Sequence, residues 1–295
     1  MEKRPKIGII GAGYVGKAVY NGFSLKADIK LYDIKPELST ASFGDTIDSD
    51  FIYICLPTPM KKVEGGEIDL SIIESVLKEI DKKVKGKTIV IKSSVVPGTT
   101  EKFAEKYKNN YFIANPEFLT ARTANLDFIQ ATRVVVGSTK NMPIEIKEKF
   151  VDIQRKRFLA TPIVETDATT AEFIKYMANC FLATKITYMN ELFFFGKKLG
   201  INWDAAVKGF LLDGRIGNSH YEVPGWDGSF GFGGACFPKD INALIYKAGE
   251  LGFDTKLLKT VWEQNKKFRD KKDWDWANNH SAVSNNNSKK QNRKL

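Results

Sequence analysis

Ile7-Gly8-Ile9-Ile10-Gly11-Ala12-Gly13-Tyr14-Val15-Gly16 decides the fold of this chain. A strand-like apolar run leads into Gly-x-Gly-x-x-Gly, and an amphipathic stretch at helical spacing, Tyr14–Leu25, follows it. Each glycine has a physical reason at this spacing. Gly11 permits the tight strand-to-helix turn, Gly13 lets a pyrophosphate approach the backbone, and Gly16 lets the helix pack closely on the strand. The helix N-terminus, with Tyr14 and Val15 in its first turn, presents amides to phosphate oxygens. Asp33 closes the next apolar run, seventeen residues after Gly16. A carboxylate there accepts from ribose hydroxyls and repels a 2′-phosphate. The pattern predicts a dinucleotide site preferring NAD to NADP, with nearby Lys35 tempering that preference.

Working outward, apolar runs at Lys6–Ile10, Ile29–Asp33, Phe51–Leu56, Thr88–Lys92, Tyr111–Ala114 and Arg133–Gly137 predict strands. Helix-length stretches at Tyr14–Leu25, Leu70–Val84, Thr99–Lys108 and Pro143–Val151 lie between several of them. Strands apolar on both faces and separated by helices predict an α/β domain, a Rossmann-like doubly wound parallel sheet, over residues 1–165. Thr161-Pro162 and Thr166–Thr170 read as a boundary, with Thr169 or Asp167 able to cap a helix. A long helix from about Thr170 to Leu199, ended by Gly200, then starts an all-helical central domain over residues 166–275. Its further helices are expected at Asn202–Leu212, Lys239–Leu251 and Lys256–Asp273. Residues 276–295 lack hydrophobic periodicity and read as a disordered basic tail.

Composition narrows the function classes. No run approaches eighteen apolar residues, and the N-terminus runs straight into a strand, so neither a membrane span nor a signal peptide is expected. Three scattered cysteines, Cys55, Cys180 and Cys236, suit neither a disulfide framework nor zinc, and point to a reducing cytoplasm; no metal is expected. Of the net charge of +10, +4 comes from Arg269–Leu295, and the rest is mixed with acids. That distribution reads as a solvated basic surface and not as a nucleic-acid site.

The chemistry concentrates in Gly231-Phe232-Gly233-Gly234-Ala235-Cys236-Phe237-Pro238-Lys239-Asp240. Three glycines just before the cysteine let backbone approach a ligand. Pro238 suits the first turn of the following helix. Cys236 is expected just before that helix N-terminus, where the dipole and Lys239 both favour a thiolate. Cys55 and Cys180 read as buried packing residues. Lys175 and Asn179, spaced i, i+4, share a helix face and can aim a cation and an amide at one oxygen.

Taken with Pro57-Thr58-Pro59, Lys92-Ser93-Ser94-Val95-Val96-Pro97, Asn115-Pro116-Glu117-Phe118-Leu119, Glu172–Asn179 and Arg215-Ile216-Gly217-Asn218, these motifs resemble, in order, the UDP-glucose/GDP-mannose dehydrogenase family, over about residues 5–272. The resemblance implies four-electron oxidation of a nucleotide-sugar C6 alcohol to a carboxylate, using NAD twice. It implies Cys236 as nucleophile, giving a thiohemiacetal and then a thioester. Lys175 and Asn179 would stabilise the oxyanion, Asp240 and Ser94 would hold a relay water, and Glu117 would act as base in hydrolysis. Thr58, Ser94 and Lys239 would join Gly11–Gly16, Asp33 and Lys35 around the cofactor. Glu117, Phe118, Leu119, Lys175, Asn179, Gly233 and Phe237 would line the sugar-nucleotide site, with Arg215 reaching across a dimer interface.

Thr120-Ala121-Arg122 stands where many members carry a second acid, which alters the expected grip on cofactor or water. Members also continue into a third domain that walls the nucleotide, and this chain stops shortly after the helix leading there. Two other readings share the motifs: a two-electron β-hydroxyacid-type dehydrogenase, and a catalytically silent NAD-binding dimer. Assembly is expected to be a homodimer. Phe173, Met177, Phe181, Ile186, Met189, Leu192, Phe193, Phe194, Phe195 and Leu199 make the long helix apolar on several sides, and such a helix is buried on several sides.

Overall fold

The computed structural model describes residues 4–62, 66–274 and 282–284. Seven strands are present: β1 (Lys6–Ile10), β2 (Asp28–Tyr32), β3 (Phe51–Ile54), β4 (Thr88–Ile91), β5 (Tyr111–Ala114), β6 (Val134–Ser138) and β7 (Ile163–Asp167). They form one sheet in the order β2-β1-β3-β4-β5-β6-β7. Every neighbouring pair is parallel except β5 with β6.

β3 and β4 are buried along their whole length because helices cover both faces of the sheet. Alternate side chains of β1 point to opposite faces. Ile7 and Ile9 pack with α1 (Tyr14–Phe23), α5 (Ala124–Ile129) and α6 (Ile144–Arg157), through Phe23, Phe128 and Phe150. Ile10 packs with α2 (Phe43–Ile47), α3 (Ser71–Lys83) and α4 (Thr99–Lys106), through Phe43, Leu77 and Phe103. This is the doubly wound α/β architecture that the alternation predicts.

Three elements go beyond the sequence reading. α2 and α5 are only five and six residues long, too short for a helical period to show. β7 lies where the sequence reads as a boundary. It is an edge strand whose Val164, Glu165 and Asp167 are exposed, so it carries no apolar run.

After the sheet come α7 (Ala168–Leu199), α8 (Trp203–Leu211), α9 (Cys236–Glu250) and α10 (Lys256–Phe268). Asp167 caps α7: its carboxylate accepts from the Thr170 backbone N–H at 2.9 Å and hydroxyl at 2.6 Å. Asn202 caps α8 by accepting from the Ala205 N–H at 3.0 Å. α9 begins at Cys236, three residues earlier than expected, so the cysteine sits in the first helical turn and not before it. α10 ends at Phe268, and beyond it the Arg269 side chain pairs with Asp273 and Asp227. The described residues group into two compact units. One takes in the chain up to Thr58 together with Leu70–Lys175, the other Pro59–Asp69 and the chain from Tyr176.

Most of the tail expected to be disordered lies outside the described residues. Residues 282–284 depart from that expectation. The Met60 N–H donates to the Ala282 carbonyl and the Ser284 N–H to the Met60 carbonyl, both at 2.7 Å, and Ala282 and Val283 are buried. Two small apolar side chains in a polar tract give no periodic signal, yet a single bridge suffices to bury them.

Candidate active site

At the β1–α1 turn, Gly11 has φ +101°, and a Cβ there would lie 2.4 Å from the Cys55 carbonyl oxygen. A Cβ on Gly16 would lie 1.9 Å from the Gly11 carbonyl oxygen, which is the close helix-on-strand packing the sequence predicts. Around Gly13 the reverse holds, with nothing within 4 Å of a Cβ position. No side chain caps α1 there, and the space beside Gly13 lies at the carboxyl end of β1, where the helix N-terminus begins. The Asp33 carboxylate accepts from the Ala12 N–H at 2.7 Å and the Lys35 N–H at 3.0 Å, which fixes it beside the turn. Lys35 and Tyr14 are exposed and Val15 half-buried. An open amide-lined turn with a carboxylate at its edge fits a dinucleotide. The loops after β3 and β4 are tied together nearby, the Thr58 hydroxyl donating to the Ser94 carbonyl at 2.7 Å.

A buried charge cluster occupies the same unit. Lys175 of α7 and Glu117, both nearly fully buried, pair at 2.8 Å. The other Glu117 oxygen accepts from the Leu119 N–H at 2.6 Å. Lys92, just past β4, donates to Asn115 Oδ1 at 2.9 Å and to the Pro116 carbonyl at 3.3 Å, which holds the turn that presents Glu117. Burial lowers the Lys92 ammonium to about 8. The folded state therefore sheds this proton while the unfolded chain, at an ordinary lysine value, still holds it. The Lys92 contribution to stability rises with pH between about 8 and about 10.5. We expect the stability difference between the parent and Lys92→Met to shift towards the parent across that window in denaturant titrations. A difference flat with pH would contradict the assignment.

Glu172, quoted by the sequence only as part of a motif, has a distinct job. Its carboxylate accepts from the N–H groups of Gly98, Thr99 and Thr100 and from the Thr100 hydroxyl, tying the start of α4 to α7. Burial pushes its carboxyl up to about 7, against the pull of those donors. Nothing local marks this contact, which joins residues more than seventy positions apart. Phe118 lies under the Arg133 guanidinium, 3.8 Å from the ring centroid, and Leu119 packs partly on the sheet core.

In the second unit, Asp240 is 1% exposed and both its oxygens are engaged. Asn179 donates to one at 2.6 Å, and the Lys239 ammonium bonds the other. Lys239, expected to bias Cys236 towards thiolate, is bonded to Asp240. Lys175 and Asn179 share a helix face as predicted, but each is held by its own carboxylate, Glu117 and Asp240 respectively. Cys236 is half-buried at the start of α9, with the Phe237 ring tilted against His220 and edge-on to Phe232. Gly233 lies against the Arg269 guanidinium. Arg215 is exposed and bonded to Asp213. Cys55 and Cys180 are buried thiols, and burial pushes both up, Cys55 to about 12, as expected of packing residues. Among the described residues no group of His, Cys, Asp and Glu could hold a metal ion, and no helix is long and apolar enough to cross a membrane.

A mostly parallel sheet with a glycine turn after its first strand is followed by helices that carry a cysteine beside a glycine loop. The chain belongs to the UDP-glucose/GDP-mannose dehydrogenase family: residues 37–152 match its NAD binding domain and residues 169–267 its central domain. It is 36% identical over 229 residues to a UDP-glucose 6-dehydrogenase of Bacillus subtilis, covering 75% of this chain and 47% of that one. It is 33% identical over 242 residues to a GDP-mannose 6-dehydrogenase of Pseudomonas syringae, covering 77% and 53%. Among solved structures, a UDP-glucose dehydrogenase from Pyrobaculum islandicum superposes with TM-score 0.78 at 27% identity, over 90% of this chain and 68% of that one. The chain spans about half the length of the curated relatives it matches.

Proposed function

We propose that this chain is an NAD-dependent nucleotide-sugar 6-dehydrogenase that oxidises a UDP-sugar, UDP-glucose to UDP-glucuronate, by four electrons. The observation that carries the reading is Cys236 in the first turn of α9, four residues from an Asp240 already bonded to Asn179 and Lys239. A two-electron alcohol oxidation has no use for a cysteine nucleophile. Gly11–Gly16 and Asp33, with Thr58 and Ser94 at the strand ends, would hold NAD, which when bound would supply the hydride acceptor for both oxidations. Lys175, paired with Glu117 at 2.8 Å, donates to the sugar oxygen as the hydroxyl proton leaves to water, with Asn179 as second donor. The Cys236 sulfur adds to the C6 aldehyde, and its proton passes to the carbonyl oxygen, giving a thiohemiacetal. Loss of hydride from that carbon, with the hydroxyl proton passing to water, leaves a thioester. Glu117 takes a proton from the water that hydrolyses it, releasing carboxylate and free thiol. Identification of the product by mass spectrometry after incubation with NAD and UDP-glucose, a UDP-N-acetyl sugar or GDP-mannose tests the substrate. Uronate from UDP-glucose alone is the expected result, and uronate from GDP-mannose alone would overturn the assignment.

Asp33→Ala should raise the KM for NAD about tenfold and narrow the preference over NADP, because the lost carboxylate both binds ribose and repels a 2′-phosphate. Equal use of the two cofactors by the parent would refute the role of Asp33. The homodimer belongs to the same reading. Phe193 and Phe194 of α7 are covered within the chain by Trp203, Phe230 and Phe268. Met177, Phe181, Tyr188, Phe195 and Leu199 on the same helix stay 52–65% exposed, an apolar stripe for a second copy. Such a dimer would offer the exposed Arg215 to the partner's substrate. Sedimentation at micromolar concentration should give twice 33.2 kDa, and a 33.2 kDa species with full activity would sink the shared site.

A further inference from the structure

The loop that delivers Cys236 has almost no side chains of its own, and the fold holds it by its backbone. Gly231 donates its N–H to Asn190 Oδ1 of α7 at 3.0 Å. Phe232 is bonded on both sides by fully buried Asn265 of α10, its N–H donating to Oδ1 at 2.7 Å and its carbonyl accepting from Nδ2 at 2.9 Å. Gly234 donates its N–H to Asp273 Oδ2 at 3.1 Å. Arg269 completes the arrangement. It is 4% exposed, bonds Asp227 at 2.6 Å and Asp273 at 2.7 Å, and lies flat against Gly233. A Cβ on Gly233 would come within 2.3 Å of three guanidinium atoms.

Gly231, Phe232 and Gly234 are thus bonded, and Gly233 packed against, by four side chains drawn from α7, α10 and the segment after it. Phe232, 2% exposed and set against Trp262, is also held by packing, but the three glycines around it cannot be, and they carry the largest conformational entropy to be frozen. Those side-chain bonds therefore set where the chain enters α9, two residues before the sulfur. The pairs at Arg269 resist displacement because the guanidinium is 3% exposed and losing its carboxylate partners would leave it buried and unpaired.

We propose that Arg269, Asn265 and Asn190 are positioning residues that place the Cys236 sulfur for capture of the aldehyde intermediate, so that loosening them releases aldehyde instead of carboxylate. The inference rests on the proposed dehydrogenase reading. In balanced terms, the first oxidation takes two electrons from the C6 alcohol and gives aldehyde. Capture then forms the C–S bond, with the thiol proton moving to oxygen, before the second two electrons leave. A sulfur held out of reach leaves the first half intact and stops the second. Loss of fold alone would lower the amount of active protein and leave the product ratio unchanged.

The test compares the full chain with Arg269→Lys and Asn190→Ala, the second guarding against a variant that does not fold. Alkylation of Cys236 by iodoacetamide at pH 9.5, followed by peptide mass spectrometry, should be at least fivefold faster in each folded variant, since a freed loop exposes the sulfur. An unchanged rate overturns the proposal. With UDP-glucose and NAD, the parent should yield two NADH per sugar. The variants should approach one, with free aldehyde trapped by hydroxylamine and KM for NAD within twofold of the parent. Variants that still give two NADH per sugar and no aldehyde overturn it as well. A parent that makes no uronate would remove the dehydrogenase reading instead and leave the anchoring to be judged by alkylation alone.

Discussion

Cys236→Ser should lower uronate formation by about a thousandfold or more, while binding of NAD stays near the parent value. The serine hydroxyl is far less nucleophilic than a thiol at neutral pH, and an ester formed from it hydrolyses more slowly than a thioester. The variant should therefore stall after the first oxidation, as released aldehyde or as a slowly resolved adduct that intact-protein mass spectrometry would detect. Cys55→Ser and Cys180→Ser serve as controls, since both thiols are buried and pushed up by burial. Uronate formation by Cys236→Ser at the parent rate would end the covalent mechanism.

The second large effect belongs to stability. Lys175 and Glu117 pair at 2.8 Å with side chains only 4% exposed. Lys175→Met leaves the Glu117 carboxylate buried with the Leu119 N–H as the bond that remains to it in the described geometry. Removing one partner of such a pair costs about 3–5 kcal/mol, which lowers Tm by about 10 °C in a chain of this size. Lys175→Met combined with Glu117→Gln removes the stranded charge and should recover much of that loss. A double variant whose cost is the sum of the two singles would show that the pair is not coupled. Activity should be lost in both, because Lys175 is also the proposed oxyanion donor.

The sheet and the cofactor turn were legible because their signals are local. Ile7–Gly16 carries apolar burial, turn chemistry and helix onset within ten residues, and Asp33 follows at the spacing that a strand–helix–strand unit requires. The edge strand Ile163–Asp167 was not legible, since half-exposed polar residues lack the apolar run by which buried strands announce themselves. The cysteine loop was legible as chemistry but not as structure. Its glycines predicted a close approach, and the group that approaches Gly233 turned out to be the protein's own Arg269. Asn265, Arg269 and Glu172 act over separations of thirty-three to seventy-four residues, where spacing rules say nothing. Lys239 is bonded to the adjacent buried carboxylate of Asp240, a pairing its sequence neighbourhood beside Cys236 did not bring forward.

The most direct measurement counts NADH against sugar consumed in a single incubation of the full chain with limiting UDP-glucose and excess NAD. Four-electron oxidation through Cys236 gives two NADH per sugar and no free aldehyde. One NADH per sugar would mean an ordinary alcohol dehydrogenation in which the cysteine takes no part, and would contradict the account at its centre.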